Sequence, residues 1–319
     1  MKRAALIYNP VSGTKRHMRL AHVESAAGVL QAAGVEVRIV PTESAGSAGA
    51  QARTLADEGF DTIFACGGDG TMHDVLQGVV GTETALGLIP LGSGNVLAHD
   101  LGMPIEPAAA ARAQLQWEPR KICAGRLECA GPEDSKIIRY FATTVGIGWD
   151  AEMLYRVTVE SKSRLGLLAY VYEGSKLALM YGFPPFDAEY VDGEGKREKL
   201  TISQVMAVRI TNFGSFMRRF APGAALTRDD MQLVLFRTRR LWRYVSYMVG
   251  VSLGMNWPVG GVDLVHAKAI ICDPIPGHSV HRGRHIAVEA DGEVIGTLPA
   301  RVEIVSSAFK LLMPNAGSQ

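Results

Sequence analysis

The chain has 319 residues, 47% of them hydrophobic and 20% charged, with 33 Lys and Arg against 32 Asp and Glu. That length and apolar share suffice for a full core and point to two domains, and a net charge of +1 excludes a bulk field that would gather nucleic acid or anionic lipid. Four scattered cysteines, Cys66, Cys123, Cys129 and Cys272, show no paired ligand spacing, and the first apolar run is too short for a secretory signal, so a thiol-reduced cytoplasmic protein is expected.

Ala4-Ala5-Leu6-Ile7-Tyr8 predicts a strand stopped by Asn9-Pro10-Val11-Ser12-Gly13, and Leu20, Val23, Ala27 and Leu30 mark a helix that ends at Gly34. Residues 35–40 alternate as a strand, 48–58 read as a helix, 61–65 as a strand, 71–80 as a helix and 85–89 as a strand. Such alternation predicts a parallel, doubly wound sheet, in which ligands gather beyond the carboxyl ends of the strands. Three glycine-bearing loops fall there: Asn9 to Gly13, Gly67-Gly68-Asp69-Gly70-Thr71, and Pro90-Leu91-Gly92-Ser93-Gly94-Asn95.

The second of these loops carries most of the information. Its glycines can turn backbone N–H groups toward a phosphate, with Asp69 steering a magnesium ion. The chain has no G-x-x-x-x-G-K-[ST] sequence, so the common P-loop is excluded. Taken alone, the segment also fits a tight strand-to-helix connection with an Asp cap, and Ser93 or Asn95 alone fits a cap equally well. Three such turns after successive parallel strands can converge on one ligand.

From about Arg120 the pattern turns to short strands: 122–129, 137–145, 200–210, 231–237 and 269–271. Residues 151–181 read as helical, with apolar residues on more than one face, so ordinary packing and the lining of an apolar channel are both open. Gly146-Ile147-Gly148-Trp149-Asp150-Ala151 satisfies G-x-G-x-x-G/A, but no second strand with a terminal acid follows, so a dinucleotide fingerprint is weak. Residues 244–262 carry no charge yet are interrupted by Asn256, Pro258 and Gly260-Gly261, which predicts a packed helix and loop instead of a membrane span. Glu289-Ala290-Asp291-Gly292-Glu293 predicts a hairpin turn. A turn alone does not require the second acid, so Asp291 and Glu293 are candidates for carboxylate chemistry.

Taken together and in order, the segments starting at Asn9, Gly67, Pro90, Gly146 and Glu289 resemble the motif set of the diacylglycerol kinase catalytic-domain family, which also holds sphingosine and ceramide kinases. The resemblance runs from Asn9 to about Pro314. It implies an N-terminal doubly wound α/β domain (1–119, with 301–319 returning to it) and a C-terminal β-rich sandwich domain (120–300) for the lipid. It implies an ATP- and Mg²⁺-dependent lipid kinase, with diacylglycerol as first substrate and a long-chain base as second. ATP would contact Asn9, Pro10, Val11, Ser12, Gly13, Thr42, Gly67, Gly68, Asp69, Gly70, Thr71, Met72, His73, Asp74, Ser93 and Asn95. Asp150 would bind a lipid hydroxyl or amine, with a helix cap as its alternative. Glu293 would be the proton acceptor, with Asp291 beside the ATP and metal, though the reverse order stays open. A structural magnesium would be held by Asp229 and the carbonyls of Leu226 and Met231, although relatives have Asp-Gly where this chain has Asp229-Asp230. The partners implied are a membrane lipid and peripheral contact with the inner membrane face, without nucleic acid, and a homodimer is left open. An NAD kinase, a dinucleotide-dependent oxidoreductase and a non-catalytic lipid sensor are the competing classes.

Overall fold

The computed structural model describes residues 1–11, 18–160, 182–213, 220–255, 258–276, 280–281 and 284–315. It divides into two compact units, one formed by Met1–Ala124 with Val305–Gln319 and the other by Gly125–Ile304.

The first unit alternates strand and helix: β1 (Arg3–Tyr8), α1 (Arg19–Ala32), β2 (Glu36–Pro41), α2 (Ala48–Asp57), β3 (Thr62–Gly67), α3 (Asp69–Val79), β4 (Ala85–Pro90), α4 (Val96–Asp100) and α5 (Pro107–Gln114). The strands lie in the order β2-β1-β3-β4 with every pair parallel. β3 and β4 are buried at every residue, as strands covered on both faces must be. α2 packs with α3 and α1 with α5. β1 has β2 on one side and β3 on the other, so the chain reverses its winding direction there, which opens a crevice beyond the ends of β1 and β3.

The second unit continues through β5 (Glu118–Ala130), β6 (Lys136–Phe141), β7 (Thr144–Ile147), α6 (Trp149–Glu160), β8 (Phe186–Asp192), β9 (Arg197–Ile202), β10 (Gln204–Val208), β11 (Met231–Phe236), α7 (Leu241–Ser252) and β12 (Val262–Pro274). A two-stranded ribbon, β13 (Val280–His281) with β14 (Arg284–His285), precedes β15 (Ala287–Ala290) and the long β16 (Glu293–Met313). Pairing is antiparallel along β15-β7-β10-β11-β12, and β16 pairs with both β12 and β15, so six strands close a circuit. Closure leaves no unpaired edge within the circuit. Leu127, Phe141, Ile147, Phe186, Val205, Leu233, Ile270, Val288 and Val302 fill its core. The last residues of β16 pair in parallel with β4 at Lys310 and Leu311, so the chain ends in the first unit. Among the described residues no helix is long and apolar enough to cross a membrane.

Candidate functional site

The first group of predicted residues sits where β3 and β4 end. Gly68 precedes α3 in an extended conformation (φ −94°, ψ −166°), which places Asp69 in the first helical turn, where its charge meets the positive helix end. Asp69 Oδ1 accepts from the Val96 N–H at 2.7 Å, so one carboxylate joins the starts of α3 and α4. Asn95 adopts the left-handed conformation (φ 50°, ψ 46°) and locks the neighbouring loop. Its Oδ1 accepts from the Gly92 N–H at 3.0 Å, and its Nδ2 donates to the Gly92 carbonyl at 2.8 Å.

The close approach of the two loops explains their glycines. A Cβ on Gly92 would stand 2.5 Å from Gly68 Cα, and one on Gly94 would stand 2.5 Å from Asp69 Oδ2. A pocket there is lined by Gly67, Gly68, Asp69, Met72, Asn95 and Leu97 among others. Thr71 lies over Gly67, with its Oγ1 2.2 Å from where a Gly67 Cβ would be. Met72 and His73 are buried along α3, Gly70 and Asp74 are half-buried, and Ser93 is exposed.

After β1, the Asn9 side chain accepts from the Val11 N–H at 3.0 Å and shapes the turn. Thr42 donates its N–H to the Tyr8 carbonyl at 2.9 Å, which holds it beside the end of β1. Pro10 and Val11 are exposed; Ser12 and Gly13 lie outside the described residues. Sequence reading missed Arg19, the buried first residue of α1. Its Nη2 donates to the Leu91 carbonyl at 3.4 Å, while Nε and Nη1 have no hydrogen-bond partner. A buried guanidinium with unpaired donors is suited to an anion.

In the second unit Asp291 occupies the turn between β15 and β16, with φ +49° followed by Gly292 at +83°. Its Oδ1 accepts from the Thr143 N–H (2.8 Å), the Thr143 hydroxyl (2.6 Å) and the Thr144 N–H (3.2 Å), and its Oδ2 from the Ala142 N–H (3.0 Å). Most of its acceptor capacity is therefore committed to organising the β6–β7 junction. Glu293, two residues on, is exposed.

Glu289 is the acid that sequence reading passed over. It is buried on β15 opposite Gly146 and beside Asp150 of α6; a Cβ on Gly146 would stand 1.8 Å from Asp150 Oδ2 and 2.7 Å from Glu289 Oε1. The Gly292 N–H donates to Glu289 Oε2 at 2.9 Å, whereas neither Asp150 oxygen has a hydrogen-bond partner. Burial pushes Asp150 up to about 7, and backbone N–H groups of its own turn pull weakly the other way without a well-aligned bond. Burial also raises Glu289 well above the carboxylate range, with the neighbouring charges of Asp150 and Asp291 adding to the effect.

Folding thus favours the protonated form of both acids. Their stabilising contribution is complete below about pH 4, where the unfolded chain is protonated as well, and is lost as pH rises, through about 7 for Asp150 and through the raised range of Glu289. Glu289→Gln should flatten this loss. Urea unfolding at pH 5 and pH 8 should show the variant gaining on the wild type by a few kcal/mol at the higher pH. Equal losses in both proteins would refute the pairing.

The residues of the predicted second metal set have other partners in the structure. Asp229 is exposed and bonds Lys268 Nζ at 2.7 Å, the Leu226 carbonyl accepts from buried Arg209 Nη2 at 3.2 Å, and Met231 is buried at the start of β11. Cationic side chains already occupy two of the three donors. Among the described residues no three His, Cys, Asp or Glu side chains converge as a metal set.

Residues 3–127 match the family model of the diacylglycerol kinase catalytic domain. Over that stretch the chain is similar to the diacylglycerol kinase catalytic domain. The domain match and relatives named diacylglycerol kinase support a lipid kinase enzyme. It is 27% identical to a diacylglycerol kinase of Bacillus subtilis (strain 168), over 98% of this chain and 97% of that one. A diacylglycerol kinase of Staphylococcus saprophyticus is 25% identical over 98% and 96%. The diacylglycerol kinase-type fold extends over both units: a crystal structure of a diacylglycerol kinase from Bacillus anthracis (strain Sterne) matches at a TM-score of 0.70 and 20% identity, covering 99% of this chain and 98% of that one.

Proposed function

We propose that this lipid kinase transfers the γ-phosphoryl group of ATP to the hydroxyl of diacylglycerol, giving phosphatidic acid. The observation that carries the reading is the glycine cradle around Asp69, where Gly68, Gly92 and Gly94 leave no room for side chains. Backbone N–H groups of those loops and the Arg19 guanidinium would meet the phosphates. Asp69 brings a carboxylate to the mouth of the cradle, which fits magnesium, an ion that takes one or two carboxylates and keeps phosphate and water as its other ligands. When bound, magnesium would offset the charge of the transferring group.

In the reaction the lipid oxygen forms a bond to the γ-phosphorus, the bond to the bridging β-phosphate oxygen breaks, and ADP leaves. Glu293 takes the hydroxyl proton. Asp291 holds the turn from which Glu293 projects. A long-chain base is the second acceptor class, supported by the Asp150 carboxylate, whose oxygens lack donors and could receive an ammonium.

The test is transfer of labelled phosphate from ATP to diacylglycerol, sphingosine, ceramide and NAD in mixed micelles with Mg²⁺. Diacylglycerol should be labelled, and Glu293→Gln should lower the rate by about 10²–10⁴. Labelling of NAD alone, or full activity in Glu293→Gln, would refute the corresponding part of the reading.

A further inference from the structure

α7 is apolar on both faces. Its inner face is firmly held: Tyr244 stacks on Phe183 (ring centroids 4.3 Å) and Phe236 (4.4 Å), while Tyr247 meets Phe220 and Phe236 edge-on at 5.6 Å. The Tyr247 hydroxyl also donates to the Phe220 carbonyl. The outer face carries Trp242 (58% exposed), Val245 (52%), Val249 (45%) and Leu253 (64%). Steps of three and four residues place these side chains in one stripe, and exposed Met255 lies just beyond it. Loose packing cannot account for the exposure of a helix anchored in this way.

Charge identifies the kind of surface the stripe fits. Residues 237–262 contain four arginines and no acid. Arg237 pairs with Asp263, and Arg239 donates to the carbonyls of Phe183 and Gly182. Arg240 and Arg243 stand at the N-terminal end of α7, where a cation opposes the helix dipole, so helix stability does not explain them. Arg243 lies over the Trp242 ring at 5.3 Å from its centroid. An apolar stripe headed by cations and an interfacial aromatic suits entry into the headgroup layer of an anionic bilayer, and a helix of 12 residues is too short to span one.

We propose that the outer face of α7 docks this enzyme on anionic membrane. The inference rests on the lipid-kinase reading for its purpose, but its test does not depend on turnover. Wild-type protein should co-sediment with vesicles of phosphatidylcholine and phosphatidylglycerol, more weakly with phosphatidylcholine alone, and less as salt is added. Val245→Gln/Val249→Gln should weaken binding about tenfold or more, and Arg240→Gln/Arg243→Gln should remove the preference for anionic lipid. Turnover of a monomerically dissolved short-chain diacylglycerol should hold in both variants. Unchanged vesicle binding in both would overturn the proposal, as would a wild-type dimer in sedimentation that the apolar variant splits into monomers. Failure of the wild type to phosphorylate the short-chain acceptor would count against the kinase reading and leave the vesicle result standing.

Discussion

Asp69→Asn is expected to lower phosphoryl transfer about a thousandfold with the fold intact, a loss of about 4 kcal/mol of transition-state stabilisation. The amide is close in shape to the carboxylate, and its oxygen can still accept from the Val96 N–H that now bonds Oδ1 at 2.7 Å. What disappears is negative charge at the mouth of the glycine cradle, where Oδ2 lies 2.5 Å from the position a Gly94 Cβ would take. In the proposed reaction that charge would help hold a divalent cation against the phosphates. The variant should therefore melt as the wild type does, bind ATP with reduced dependence on Mg²⁺, and lose kcat. Steady-state kinetics across a magnesium titration, with thermal unfolding alongside, checks each part. Near-normal kcat would remove Asp69 from the chemistry, and a large drop in melting temperature would make it a structural bridge between α3 and α4.

The cradle was legible because its signal is local. Gly67, Gly68, Gly92 and Gly94 are demanded by backbone approach within short loops, and alternating strands and helices set the carboxyl ends of neighbouring strands together. The helix after β3 starts at Asp69, two residues before the apolar periodicity begins, because the first turn of α3 is made by small polar residues that carry no periodic signal. Contacts remote in sequence were harder to foresee. Residues 137–145 read as one strand, yet the structure breaks them at Ala142 and Thr143, whose N–H groups turn to Asp291, 149 and 148 positions away. The run 200–210 is likewise divided at Ser203, whose N–H goes to the Phe236 carbonyl and whose hydroxyl meets Tyr244 at 2.7 Å. β12 extends over 13 residues where the apolar pattern marked only three, because one of its faces is largely polar or exposed.

Glu289 shows the same limit at the site itself. A lone acid in the strand Ala287-Val288-Glu289-Ala290 is the available signal, since all four residues are buried. Its proximity to the Asp-Gly turn made it read as part of the hairpin, and its partner Asp150 lies on a helix far earlier in the chain. Residues 161–181 of the predicted helical stretch 151–181, residues 216–219 of the aromatic-basic run 216–220, and Trp257 fall outside the described residues. Phe220 is buried and Trp242 exposed, so of the two the apolar surface for lipid contact belongs to α7.

Asp291→Ala is expected to destabilise the second unit by about 3–5 kcal/mol, because three buried N–H groups and one hydroxyl would lose their shared acceptor. Against a total stability of about 5–15 kcal/mol, that is enough to populate unfolded protein at moderate temperature. The left-handed conformation at φ +49° adds to the cost, since Ala lacks the local hydrogen bonding that lets Asp or Asn adopt it. Asp291→Asn separates this structural role from a catalytic one. It tolerates the turn and keeps one oxygen for Thr143 and Thr144, so it should recover much of the urea midpoint and, with the β6–β7 junction restored, much of the activity through Glu293. An Asp291→Asn protein as stable as the wild type but inactive would instead make Asp291 the proton acceptor, and Glu293→Gln would then retain turnover.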